Sequence, residues 1–170
     1  MKNTTIITGA SKGIGHALAL SLLAKGHTVI GSSRSGDIKK IYHSSFIPMS
    51  LDLADSNSIS QFVENVKQQD GLPSLLINNA GVGPDLDSEK PSLDAFDDTF
   101  NVNVRGTVFL TEQLAELMPK GSKIMNISSI MGSVENTNSH DSVAYRMSKS
   151  ALNMYSKILS NRYEGKIDVA

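Results

Sequence analysis

Short apolar runs alternate along the chain with segments of helical periodicity. Thr4–Thr8 reads as a first strand. A glycine-rich turn follows, then a helix from about Ile14 to Lys25 that Gly26 stops as a C-terminal cap. His27–Ser32 is a second strand. Phe46–Met49 is a third, and Pro48 within it places that strand at a sheet edge, where a missing N–H costs little. Ile59, Phe62, Val63 and Val66 fall at i, i+3, i+4 and i+7, which predicts an amphipathic helix over Ser56–Gln69. Leu75–Asn78 is a fourth strand. Gly83–Ser92, polar and rich in Pro and Asp, reads as a surface loop. A long helix is expected over Leu93–Met118, ending at Pro119. Its Phe96, Phe100, Asn103, Thr107, Leu110, Leu114 and Leu117 form one stripe, apolar except at Asn103 and Thr107. Lys123–Ser128 is a fifth strand, a second long helix runs from near Ser142 to about Tyr163, and Ile167–Ala170 opens a sixth strand.

Strand–helix alternation of this kind argues an α/β fold: a parallel sheet covered on both faces, wound by right-handed crossovers into a Rossmann-type, doubly wound sheet. With 170 residues, no internal repeat and no linker, one domain is the simplest account. Charged residues make up 19% of the chain and the net charge is −1, with no basic stripe, so neither nucleic acid nor an acidic membrane is an expected partner. No run approaches the ~20 apolar residues that cross a bilayer. The N-terminal apolar run is too short for a signal peptide, and a cytoplasmic location is expected. The absence of cysteine excludes thiol catalysis and disulfides, and His16, His27, His43 and His140 show no metal-ligand spacing, so no catalytic metal is expected. His140 is either a solvated loop residue or a lining of a substrate pocket.

Two clusters carry candidate chemistry. The first is Thr8-Gly9-Ala10-Ser11-Lys12-Gly13-Ile14-Gly15. Its spacing is not the G-x-G-x-x-G fingerprint, and a plain glycine-rich turn would look similar. Its place directly after the first strand favours nucleotide binding. Glycines let a phosphate approach the backbone, and the N–H groups and dipole of the following helix point at it. The end of the second strand reads Gly31-Ser32-Ser33-Arg34, with no acidic residue to bind a ribose 2′-hydroxyl. Arg34 can fork onto a 2′-phosphate, Ser33 can donate to it and Lys12 can add charge, which predicts NADP(H) in preference to NAD(H).

The second cluster is Tyr145 and Lys149, at i and i+4 on one helix face. A fixed ammonium stabilises a phenolate, so such a tyrosine can exchange a proton with an alkoxide or alcohol. By itself the pair is a weak signal. Ser129, at the carboxyl end of the fifth strand where ligands of open α/β sheets sit, could hold a substrate oxygen, and Ser128 competes for that role. From the residues alone, Asn103 reads as an amide that satisfies nearby backbone; the alternative is an anchor for a water linking Lys149 to solvent.

Taken in order, these residues resemble the short-chain dehydrogenases/reductases. Thr8–Gly15 looks like that family's cofactor turn, and Asn78-Asn79-Ala80-Gly81 like its second signature, which steadies the central sheet and borders the adenosine and ribose. Asp52 matches the residue against the adenine, with Leu53 beside it among the cofactor contacts. Asn103-Val104-Arg105-Gly106 matches the segment of the catalytic Asn, and Ser129, Tyr145 and Lys149 the remaining catalytic residues. The resemblance reverses the plain reading of Asn103. It implies hydride transfer between a nicotinamide and a carbonyl or alcohol, with Ser129 orienting the substrate and Tyr145 as acid/base. Lys149 would bind the nicotinamide ribose, and Asn103 would hold a relay water. The runs Asn126–Ser133 and Ala144–Asn153 are similar to the branch of C-factor-like proteins and sniffer-type carbonyl reductases.

That family continues past its sixth strand into a Pro-Gly turn, a substrate loop and a final strand, whereas this chain stops at Ala170. The resemblance therefore implies a C-terminally incomplete domain, lacking the carboxamide partner and much of the substrate pocket. It also implies a dimer or tetramer. The rival expectation is a dinucleotide-binding signalling or scaffold module with little turnover.

Overall fold

The computed structural model describes residues 3–170. Six parallel strands form one sheet: β1 (Thr4–Ile7), β2 (Thr28–Ser33), β3 (Phe46–Ser50), β4 (Pro73–Asn78), β5 (Ser122–Asn126) and β6 (Ile167–Val169). Their order across the sheet is β3-β2-β1-β4-β5-β6, the doubly wound arrangement, with the Pro48 strand at one edge as expected. The helices are α1 (Gly13–Ala24), α2 (Ser56–Lys67), α3 (Leu93–Phe100), α4 (Thr107–Ala115) and α5 (Val143–Arg162). No helix among the described residues is long and apolar enough to cross a membrane.

The core follows from alternation along the central strands. Ile6, Ile30, Leu76 and Ile124 point to one face, where Ile59, Phe62, Val63 and Val66 of α2 and Leu110 and Leu114 of α4 cover them. Their neighbours Ile7, Val29 and Ile77 point to the other face, against Ala19 and Leu23 of α1. Strands buried on both faces read as continuous apolar runs, which is why β1, β2 and β4 were legible. The sheet switches direction of winding between β1 and β4. The carboxyl ends of those two strands therefore open the crevice in which ligands of such sheets bind.

The expected single helix over Leu93–Met118 is instead three pieces: α3, a π-helical turn at Asn101–Gly106, and α4. The wide turn has right-handed helical angles at both ends, so the segment reads as one continuous helix from the sequence. A Cβ on Gly106 would overlap the carbonyl oxygen of Leu53, so only glycine lets this turn close against the connection from β3 to α2. Asn103 lies inside the wide turn.

A second correction concerns the loop before α3. Read as surface, it carries Asp85 at 1% exposure. Finally, β5 ends at Asn126, leaving Ser128 and Ser129 beyond the carboxyl end of the strand rather than Ser128 within it.

Candidate active site

The turn from β1 into α1 is built around unsatisfied donors. Lys12 occupies the N-cap of α1 in extended conformation, no side chain caps the helix, and its first turn contains no acidic residue. The leading N–H groups of α1 are thus left for an anion. Gly13, at φ +59°, has nothing within 4 Å of the position a Cβ would take, so its open side faces free space. Gly15 is the opposite case: a Cβ there would overlap Gly9 O and come within 2.5 Å of Asn79 Nδ2.

Asn79 is the tie between β4 and this turn. Its Nδ2 donates to Thr8 O at 2.9 Å and Gly9 O at 3.2 Å, while Asn79 N and Ala80 N both donate to Thr8 Oγ1 at 3.0 Å. Asn78 faces the other way. Its Nδ2 donates to Thr111 Oγ1 and to Asn126 Oδ1, each at 2.8 Å, and Asn126 Nδ2 donates to Ser156 Oγ at 2.8 Å. Two adjacent asparagines thereby fix the glycine turn, α4, β5 and α5 relative to β4.

A cleft of about 880 Å³ opens above these carboxyl ends. It gathers Gly9, Ser11, Lys12, Gly13, Ser33, Arg34, Asp52, Leu53, Asn79, Ala80 and Gly81, drawn from four loops far apart in sequence. Gly15 lies beneath the turn, and Ile14, 61% exposed, stands outside the lining. Ser33 Oγ is buried at the wall of the cleft without a hydrogen-bond partner among the described residues. The Arg34 guanidinium makes no bond or ion pair among the described residues, and only its carbonyl is engaged, by Ser50 Oγ. One oxygen of Asp52 accepts from Ala54 N at 2.9 Å, holding the turn after β3.

Tyr145 and Lys149 rise from the first two turns of α5 on one side of the helix. Lys149 Nζ lies 5.6 Å from the centroid of the Tyr145 ring. Neither is among the residues that line the cleft, but both pack against glycines of its wall. A Cβ on Gly83 would sit 2.9 Å from Tyr145 Cδ2, and one on Gly81 would sit 3.7 Å from Lys149 Nζ. Lys149 is 5% exposed, and its Nζ donates to Ile127 O at 2.8 Å. Burial pushes its ammonium below the usual lysine range.

Asn103 stands beside them with its amide engaged: Nδ2 donates to Val82 O at 2.8 Å and Ser148 Oγ at 3.1 Å, and Oδ1 accepts from Val82 N at 2.8 Å. The two serines after β5 differ. Ser128 Oγ donates to Asn153 Oδ1 at 2.6 Å, whereas Ser129 Oγ accepts from Met131 N at 3.2 Å and keeps its own proton. His140 is exposed, 3.7 Å from Glu89.

Several residues escaped the sequence reading. Val82, Gly83, Pro84, Asp98 and Val102 also line the cleft. Gly83 had a signal, the small residue two positions beyond Asn-Asn-Ala-Gly; Asp85 had none, because its partners are backbone N–H groups 59 and 60 positions away.

Comparison with known proteins gives a consistent picture. The profile of the short chain dehydrogenase family matches residues 3–170. An uncharacterized oxidoreductase of Schizosaccharomyces pombe is 36% identical over 133 residues, 76% of this chain and 46% of that protein. The NADPH-dependent pterin aldehyde reductase of Arabidopsis thaliana is 32% identical over 138 residues, 76% of this chain and 57% of that protein. A short-chain dehydrogenase from Streptomyces avermitilis superposes with a TM-score of 0.90 at 29% identity, covering 99% of this chain and 64% of its own. The chain spans about half the length of the curated relatives it matches.

Proposed function

The chain belongs to the short-chain dehydrogenase family, and on that premise we propose that it is an NADP(H)-dependent oxidoreductase acting on a small carbonyl or alcohol. The observation that carries this reading is the approach of Tyr145 and Lys149, side by side, to the glycine wall of the cleft. Three features fit a dinucleotide there: the uncapped α1, the open side of Gly13, and the buried, unpartnered hydroxyl of Ser33 next to Arg34. The last favours a 2′-phosphate, as does the NADPH dependence carried in the name of the Arabidopsis relative. Lys12, free of ion pairs among the described residues, adds positive charge to the same turn.

When bound, the nicotinamide supplies or takes up the hydride. The remaining work falls to the chain. Ser129, whose hydroxyl proton is free, holds the substrate oxygen. Tyr145 gives that oxygen a proton in reduction and removes one in oxidation. Lys149 spends one N–H on Ile127 O and keeps two for ribose hydroxyls and for electrostatic support of the phenol oxygen. Asn103 immobilises Val82 and Ser148, and the second lone pair of Oδ1 remains for a relay water. A dimer or tetramer belongs to the same reading, with Phe109 on α4 and Met154 and Ile158 on α5 offering exposed apolar surface.

NADPH consumption with a panel of aldehydes, ketones and quinones tests the proposal. Turnover that disappears in Tyr145→Phe supports it. Tight NADPH binding with no turnover on any of them would point to a dinucleotide-responsive signalling or scaffold module instead.

A further inference from the structure

We propose that Asp85 is a positioning residue that holds the first turn of α5, and with it Tyr145, against the cleft; this rests on the reading of Tyr145 as the acid/base. The argument begins with what α5 lacks. Its N-cap residue, Ser142, is left-handed at φ +56° and makes no capping bond to its own helix. The Ser142 hydroxyl is spent elsewhere, donating to Asp141 Oδ1 at 2.9 Å and accepting from Asp87 N at 3.0 Å. No acidic residue stands in the first turn. Asp85, from the loop after β4, supplies the cap: Oδ2 accepts from Ala144 N at 2.7 Å and Oδ1 from Tyr145 N at 3.2 Å.

A carboxylate buried to 1% exposure needs compensation, which these N–H groups and the positive end of the helix provide. Helix ends fray, and Tyr145 lies in the end turn while Lys149 lies one turn deeper. Fraying would therefore part the phenol from the ammonium. Instead the Tyr145 residue is gripped at both ends. Asp85 takes its N–H and Ser148 Oγ donates to its carbonyl at 2.8 Å, with Ser148 itself held by Asn103. The strap Val82–Asp85 thus touches Tyr145 twice, at the ring through Gly83 and at the backbone through Asp85.

The test compares Asp85→Ala and Asp85→Asn with Asp55→Ala in the full chain. Asp55 caps α2 by accepting from Asn57 N at 2.9 Å and takes no part in the site, so its variant loses a cap of the same chemistry. Incorporated 3-fluorotyrosine reports each of Tyr42, Tyr145, Tyr155 and Tyr163 by 19F NMR, with the Tyr145 resonance assigned from Tyr145→Phe. Asp85→Ala is expected to shift or broaden that resonance and leave the other three in place. It should also lower kcat at least ~10-fold with KM for NADPH nearly unchanged, since a misplaced reacting group costs rate rather than binding. Asp85→Asn, which keeps one acceptor oxygen, should fall between. Asp55→Ala should lower Tm yet keep both the resonance and kcat.

An unmoved Tyr145 resonance in folded Asp85→Ala overturns the proposal, as does an Asp55→Ala variant that loses as much kcat. Should Asp85→Ala fail to fold, Asp85→Asn decides by the same readouts. Should the unaltered chain turn over no carbonyl, the oxidoreductase reading fails while the resonance still decides the role of Asp85.

Discussion

The Lys149 ammonium stands 5.6 Å from the centre of the Tyr145 ring, and both side chains pack against glycines of the cleft wall. Their partnership predicts a specific outcome. Tyr145→Phe keeps the ring that packs on Gly83 and removes only the hydroxyl that exchanges the proton. Turnover should fall at least ~100-fold, the low end for a positioned acid or base. Cofactor affinity should hardly change. Steady-state NADPH oxidation and a fluorescence titration of NADPH measure the two quantities, and a variant retaining most of its turnover would exclude the mechanism.

Lys149 makes a second prediction through its burial. Its folded-state pKa lies below 10.5, so between that lowered value and 10.5 the unfolded chain holds the proton that the fold has shed. Below the window the fold carries the cost of a buried charge. Stability contributed by this position therefore rises as pH climbs toward 10.5, the reverse of a lysine that gains a partner. Lys149→Met removes that slope. Its offset is a balance, because it also strips Ile127 O of its donor, worth about 1–3 kcal/mol. The stability of the unaltered chain relative to the variant should thus climb with pH. Urea unfolding of both from about pH 7 to about pH 10 reads the slope. A difference that is flat or falls with pH contradicts the burial argument. The same variant should lose turnover and cofactor affinity together.

Much of this site could be read from the chain because its parts are local. The glycine turn follows a strand that declares itself by apolar residues, and Tyr145 and Lys149 share a face by spacing alone. Asn103 was the informative ambiguity. Periodicity marked it as a polar residue in an apolar stripe, and its amide does satisfy backbone, at Val82, as the plain reading expected. Asp85 and the π turn were invisible for a different reason. Each depends on a partner distant in sequence, the N–H groups of Ala144 and Tyr145 in one case and the carbonyl of Leu53 in the other, and neither alters the hydrophobic pattern.

Cofactor choice gives a third prediction. Ser33 and Arg34 offer a buried hydroxyl and a guanidinium unpaired among the described residues at the end of β2. Charge-assisted hydrogen bonds are worth roughly 1.5–3 kcal/mol, so losing one and gaining repulsion should cost NADPH at least ~10-fold in affinity. Arg34→Asp should therefore weaken NADPH strongly and leave NADH level or tighter. Parallel titrations of the unaltered chain and the variant check it. Equal affinity for both cofactors in the unaltered chain would remove the basis for a phosphate site.

The two inner glycines of the turn should fail for different reasons. At Gly13 the surroundings are open and the strain is in the backbone, since φ +59° costs an ordinary residue about 1–2 kcal/mol. Gly13→Ala should thus lower stability by about that amount, and its methyl group, projecting into the free side of the turn, should weaken NADPH as well. At Gly15 the backbone is ordinary and the space is taken. An added methyl group meets Gly9 O and Asn79 Nδ2, the two atoms that join the turn to β4 at 3.2 Å. Overpacking of this kind costs typically 1–3 kcal/mol, and relief requires the turn to move away from Asn79. Gly15→Ala should therefore slacken the protection of the Asn79 and Ala80 amides, which both donate to Thr8 Oγ1, whereas Gly13→Ala should leave it intact. Hydrogen exchange at those two amides separates the cases, and equal protection in both variants would refute the contact argument for Gly15.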